Sequence, residues 1–263
     1  MDKTLLKGLH VLETVSRLDG ANYTLDQLAE ELGLSRSNTH RTLQTLSHAG
    51  YVRRDPETGA YQCTLKMFEL GSRRLEGMDV RHIAPPHMRE LSRSTSETVH
   101  LCILDGIEVV YIDRVDSPQP LIAYSPIGGR APAYAVSAGK ALLAFQGPDY
   151  IGHYAKSIKK HTDRTHTSVP AIRRELDEVA SAGYAVNRGE WRPGIGCVAA
   201  PIFNGLGRVV AALGISGPLE RLDPARMAEL AQPLQSAARQ VSGLLGHRGG
   251  YPGTPKNGAS TRA

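Results

Sequence analysis

The stretch LGLSRSNTHRTLQTLSHAGYVRRD, residues 32–55, carries no carboxylate before its last residue, in a chain of which 22% is charged. Its punctuation restricts it to few folds. Upstream, Leu25, Leu28, Ala29 and Leu32 share one face of a short helix that Thr24 can cap and Gly33 can stop. Downstream, Ser35 can cap another helix, with Thr39, Leu43 and Leu46 as its buried edge and Ala49-Gly50 as its end. Two short helices joined by a tight Gly-containing turn make a helix-turn-helix. A helix before them, with Leu5, Leu9, Leu12 and Val15 or Ser16 on one face, ends near Asp19-Gly20 and completes a small core.

On the third helix the outward positions are Arg36, Ser37, Asn38, His40, Arg41, Gln44 and Thr45, with Ser35 at its cap. Short polar groups at a helix start, followed by Arg and Gln a turn later, suit base edges in a major groove, where Arg pairs with guanine and Asn or Gln with adenine. Carboxylates there would repel phosphate. An ordinary solvated helix face is the alternative, but the next segment adds an independent element. Tyr51 to Arg54 and Ala60 to Thr64 read as strands around Asp55-Pro56-Glu57-Thr58-Gly59, a wing that places Arg53 and Arg54 beside a duplex backbone.

Net charge alone would not have indicated this. The chain is +5 overall, yet residues 1–80 hold 10 Lys/Arg against 11 Asp/Glu and residues 81–263 hold 21 against 15. At 263 residues two domains are expected, and no apolar run approaches the roughly 18 residues of a membrane span. MDKTLLKGLH lacks the apolar core of a signal peptide. Cys63, Cys102 and Cys197 are three, far apart and without a CxxC pair, so a reducing cytoplasm is expected, with neither a disulfide framework nor a zinc knuckle.

After the wing, residues 65–77 read as a joining helix. The remainder is α+β: a helix over 83–94, strands TVHLCIL and IEVVYIDRV around an Asp105-Gly106 type I′ turn, a strand PLIAYSP, helices over 138–145 and 169–182, and strands GYAVNRG, GCVAAPIF and RVVAALGIS. A last helix over 223–245, kinked at Pro233, precedes a Gly/Pro-rich tail from Gly246 expected to be disordered. The domains are therefore placed at 1–64, 79–245 and a linker helix at 65–78, with 246–263 as tail.

Catalytic motifs are present only in fragments. GIGCVA fits a dinucleotide fingerprint but opens a strand, and SAGKA lacks the first glycine of a phosphate loop (Tyr134) and its Ser/Thr (Ala141). Ser137 lies in AVSAG, near a nucleophile elbow, and Ser137 to Lys140 spells S-x-x-K; a serine hydrolase or acyltransferase is the alternative reading, against a Ser that caps the following helix. HTDRTHTS offers His161, Asp163 and His166, read as a solvated loop and not a metal site. No catalytic residue, metal or cofactor is assigned.

LAEELGLSRSNTHRTLQTLSHAGYV with its wing, GGRAPAYAVSAGKALLA, AGYAVNRGEWRPGIGCVAAPIF and VVAALGISGPLERL, in that order, resemble the IclR family of bacterial transcriptional regulators from about Thr4 to about Leu245. The resemblance implies a winged helix-turn-helix for double-stranded operator DNA, a linker helix that takes part in dimer contacts, and a GAF/PAS-like C-terminal domain binding a small organic acid effector. It implies a homodimer or homotetramer, read as a repressor of a catabolic operon, and no membrane. The matching pocket positions are Ala123, Ala131, Ser137, Ala138, Asn187, Ile195, Cys197, Gly214 and Ser216. At 187 and 214 this chain has Asn and Gly where members of the family can carry Asp and Ser.

Overall fold

A computed structural model describes residues 1–18, 22–76, 79–119 and 126–253, with backbone alone over 72–76. The expected strand PLIAYSP, Ala123 with it, lies outside the described residues except for its last proline. The chain divides into two compact units, Met1–Met78 and Asp79–Ala263.

In the first unit, α1 (Lys3–Arg17) starts at Asp2, whose carboxylate accepts from the Thr4 and Leu5 N–H groups. Its buried stripe is Val11, Leu12 and Val15; Leu5 and Leu9, expected on the same face, are 62% and 48% exposed. The periodicity was that of a helix, but only its C-terminal half meets the core. The second helix, α2 (Leu25–Glu31), begins where Gln27 accepts from the Thr24 N–H at 2.9 Å. Ser35 caps α3 (Arg36–His48), accepting from the Asn38 N–H, and Thr39 and Leu43 are fully buried beneath it. Strands β1 (Val52–Arg54) and β2 (Tyr61–Cys63) pair antiparallel with Arg54 opposite Tyr61. Val11, Leu28, Leu43, Val52 and Tyr61 bring all five elements into one core. Then α4 (Lys66–Glu76) follows, and Lys66 Nζ donates to the Ala49 carbonyl at the end of α3.

The second unit is a six-stranded antiparallel sheet in the order β5-β4-β3-β8-β7-β6. Helix α6 (Pro85–Thr95) is the expected helix over 83–94, and a short α5 (Asp79–Ile83), not expected, precedes it, the two separated because Pro85 cannot donate within a helix and begins a new one. Strands β3 (Thr98–Asp105) and β4 (Glu108–Val115) form the expected hairpin, but Asp105 pairs with Glu108. The turn residues are therefore Gly106 and Ile107, with φ +60° at the first alone, the pattern of a type II′ turn. After β5 (Arg130–Pro132) come α7 (Ser137–Leu143), α8 (Tyr150–His153), α9 (Val169–Ala182), β6 (Ala185–Arg188), β7 (Ile195–Phe203), β8 (Val209–Pro218) and α10 (Pro224–Leu244), a single helix through Pro233.

Alternation divides the sheet into two unlike faces. Leu101, Leu213, Ile215 and Val198 point to one, over which α10 lies with Met227 against Gly196. Cys102, Ala212, Gly214, Ser216, Ala199 and Cys197 point to the other, which is small and partly polar, and α7 and α9 cover it. Small residues let α7 sit close. A Cβ at Gly139 would lie 2.2 Å from the Ala133 carbonyl oxygen.

Residues 246–253 pack against the second unit. Tyr251 is 6% exposed, donates to the Pro201 carbonyl at 2.6 Å and meets Phe203 edge-on, while His247 stacks on the same ring. An aromatic residue with a carbonyl to bond outweighs the Gly/Pro composition, so the expectation of disorder from Gly246 fails over 246–253. Residues 254–263 lie outside the described chain.

Candidate functional site

Two places gather the sequence-selected residues. On α3, Arg36, Ser37, His40, Arg41 and Gln44 are exposed, and Arg53 and Arg54 stand exposed on β1. Between α3 and the wing lies a groove of about 730 Å³ lined by Ser35, Arg36, Ser37, His40, Arg54 and Thr58 among others. Not all of these side chains are free to reach a ligand. Ser35 is the helix cap, and Asn38, half-buried, accepts from Lys7 Nζ at 3.0 Å and from Arg41 at 3.2 Å.

The sequence pattern missed one acid. Asp26, from α2, reaches Arg36 Nε at 2.5 Å on this face. The carboxylate that ends the acid-free stretch is spent locally: Asp55 accepts from the Thr58 and Glu57 N–H groups and the Thr58 hydroxyl, which holds its carboxyl below the usual range.

In the second unit, cross-strand register sets Asn187 opposite Cys197, Cys197 opposite Ser216 and Ser216 opposite Thr98, one row across β6, β7, β8 and β3 on the α7 face. The next row holds Ala185, Ala199, Gly214 and His100. Ser137, the first residue of α7, stands close enough to Cys197 to oppose the upward shift of its thiol, which burial nonetheless drives to about 12. Ile195 lies two residues along β7 on the Cys197 face, half-buried. Ala138 belongs to the apolar cluster under α7, and Ala131 sits on the edge strand β5 in the same cluster. Ser137, Asn187, Cys197, Gly214 and Ser216 are thus brought together; Ala131 is set apart from their rows.

Hydrogen bonding distinguishes their roles. Asn187 is largely committed: Nδ2 donates one of its two N–H groups to the Ala135 carbonyl at 2.6 Å, and Oδ1 accepts from the Gly189 and Glu190 N–H groups. It pins the turn after β6 and keeps one N–H for a further acceptor. The Ser137 and Ser216 hydroxyls, 0% and 4% exposed, make no well-formed hydrogen bond among the described residues; Ser137 has only the Cys197 thiol, a weak partner, beside it. Ser137 is therefore not a cap, since Val136 holds that position. Nor is it activated, because a nucleophilic serine needs a base in hydrogen-bond reach. Lys140, which completed S-x-x-K, is turned elsewhere and fully buried, its Nζ paired with Glu175 at 2.6 Å and more closely with Glu190. His161 bonds Tyr134, Asp163 pairs with Lys160, and His166 faces Glu175, so these three do not converge. No cluster of three or more metal-ligating side chains occurs among the described residues.

Sequence reading missed His100, Glu175 and Glu190, and took Lys140 only as part of S-x-x-K. Of the three missed, only His100 left a signal, as the one imidazole in the apolar run TVHLCIL. Lys140, Glu175 and Glu190 are drawn together from α7, α9 and the β6–β7 loop, which no local pattern relates.

Residues 4–56 match the IclR helix-turn-helix domain and residues 72–243 match the family described as bacterial transcriptional regulator IclR C-terminal. The HTH-type transcriptional regulator KdgR of Escherichia coli (strain K12) is 40% identical over 230 residues, covering 87% of each chain. The crystal structure of Thermotoga maritima IclR superposes with a TM-score of 0.78 at 32% identity, over 93% of this chain and 99% of that one. An IclR homolog from Microbacterium hydrocarbonoxydans, complexed with 4-hydroxybenzoate, gives a TM-score of 0.78 at 25% identity, over 92% and 99%. A winged helix-turn-helix joined to an α+β unit, with these matches over both, places the chain in the IclR family of bacterial transcriptional regulators.

Proposed function

We propose that the protein is an effector-responsive repressor of a catabolic operon that binds a pseudo-palindromic operator as a homodimer or homotetramer, and that a small carboxylic acid in the C-terminal unit shifts its DNA affinity. The observation that carries this reading is the pair of buried hydroxyls at Ser137 and Ser216 that make no well-formed hydrogen bond among the described residues, set beside the Cys197 thiol. Interiors rarely leave such groups unsatisfied, and a ligand that bonds both removes that cost. Burial raises the Cys197 thiol to about 12, and the Lys140 ammonium nearby is already paired with Glu175 and Glu190, so local charge does not set the preference for an acid. The helix α7 has seven residues, too few for its N-terminus to carry this preference. The 4-hydroxybenzoate complex of a relative supports an aromatic acid.

On the DNA side, Ser37, His40, Arg41 and Gln44 read base edges, Arg53 and Arg54 hold phosphate, and Ser35 and Asn38 position the helix. Exposed Leu5, Leu6 and Leu9, with Leu65 and Leu70, give a second copy an apolar surface to cover. The test is a thermal-shift screen of aliphatic and aromatic acids beside their amides and amines, then operator titration with each hit. Acids should stabilise the protein and change operator affinity by about 5–150-fold. Amines or neutral sugars as the only hits, or acid binding that survives Ser137→Trp, would sink the site.

A further inference from the structure

We infer that His100, seated over the bare backbone of Gly214, is a hydrogen-bonding residue that selects effectors bearing a hydroxyl group; this rests on the pocket described under Proposed function. His100 and Gly214 are cross-strand partners in the row beside Ser216 and Cys197. The ring occupies the volume a side chain at 214 would fill: a Cβ there would lie 2.3 Å from His100 Cε1, 2.9 Å from Nδ1 and 3.0 Å from Nε2. Gly214 therefore does not enlarge the pocket. It exchanges a short side chain for an imidazole reaching across from the neighbouring strand.

The ring's surroundings leave its hydrogen-bonding capacity largely unused. His100 is 2% exposed and meets Tyr111 edge-on, with ring centroids 5.3 Å apart. Nδ1 faces the Cys102 sulfur and Nε2 the Cys197 sulfur, each at 3.5 Å. Thiols are weak donors and weak acceptors, so both nitrogens have poor partners where good ones are required. Burial lowers the imidazole to about 4, which keeps it neutral at physiological pH, with one nitrogen donating and the other accepting. Nε2 points toward the same thiol that Ser137 and Ser216 adjoin. The His100 Nε2 and the Ser137 hydroxyl thus both adjoin the Cys197 thiol, with Ser216 as its cross-strand neighbour, an arrangement matched by a hydroxyl that both donates and accepts.

The experiment compares two pairs of acids that differ in hydroxylation, 4-hydroxybenzoate with benzoate and gluconate with hexanoate, by calorimetric titration of the full-length protein. In the wild type the hydroxylated member of at least one pair should bind about tenfold or more tightly, the margin of one hydrogen bond. His100→Phe keeps a ring over Gly214 and against Tyr111 but removes both nitrogens, and should cut that ratio to below about threefold. His100→Gln should restore part of it, and Gly214→Ala, which displaces the ring from the opposite strand, should reduce it even if His100→Phe does not fold. An unchanged ratio in His100→Phe or in Gly214→Ala, while Ser137→Trp abolishes binding, overturns the role of His100 and leaves the pocket standing. No binding of any of the four acids to the wild type, or binding indifferent to Ser137→Trp, overturns the pocket and this inference with it.

Discussion

Lys140 is the largest fully buried side chain of the molecule's described residues, and it is a cation. Its position follows from α7 packing against the small face of the sheet, which leaves the fourth residue of that helix no route to solvent. Burial of an ammonium is tolerable because Glu175 and Glu190 arrive from two other elements, and Glu190 is itself held by its N–H to Asn187 and its carbonyl to Thr162 and Thr165. Removing one partner of such a cluster leaves uncompensated charge. Lys140→Met should therefore destabilise the C-terminal unit by about 3–5 kcal/mol in chemical denaturation, and adding Glu175→Gln and Glu190→Gln should recover most of the loss. A cost below about 1 kcal/mol would mean that the three groups are not coupled.

At the scale of elements, α3 and its wing show how a surface is tuned by its neighbours. The acid-free character of residues 32–55 is a property of the segment, whereas Asp26 on α2 restores a carboxylate to the same face and pairs with Arg36. Three substitutions separate these contributions in a salt titration of operator and non-operator DNA. Arg41→Ala should lose about 1–3 kcal/mol of discrimination at one base pair in each half-site. Arg53→Ala should weaken every sequence alike and lower the salt slope by about 1, as the loss of a phosphate contact does. Asp26→Asn should do the reverse, strengthening binding to all sequences and steepening the slope, because it removes repulsion and releases Arg36. Equal effects of Arg41→Ala on all sequences would remove α3 as the reading element.

For the molecule as a whole, the C-terminal segment belongs to the second unit's core. Tyr251 reaches back to Pro201 and Phe203 on β7, and Gln235 of α10 donates to the Ala182 carbonyl at the end of α9, beside the same segment. A chain ending at residue 245 loses this cover and exposes Phe203. It should be less stable by about 2–3 kcal/mol, the worth of one buried aromatic side chain and its hydrogen bond. Equal stability of the chain ending at 245 and the full chain in urea titration would show that the tail's packing contributes nothing.

Local sequence alone determined the helix-turn-helix, the wing, β3, β4, β6, β7, β8 and α9, because caps, glycine stops and periodicity act within a few residues. Ser35 and Gly50 fix α3 wherever it sits. Ser137 stood out locally through AVSAG, whereas Cys197 and Ser216 were identified only through resemblance, and what each does there depended on its neighbours. Asn187 became a structural tie because the Ala135 carbonyl came within 2.6 Å, and the space over Gly214 was filled because β3 pairs with β8 in a register that sets His100 opposite. Tertiary pairing alone also decided that Lys140 is buried between two acids, that the leucines of α1 face outward at its start, and that Tyr251 draws the tail inward. Each of these joins residues far apart in the chain, and a register or a burial partner at such separation is set by the free energy of the whole packed unit.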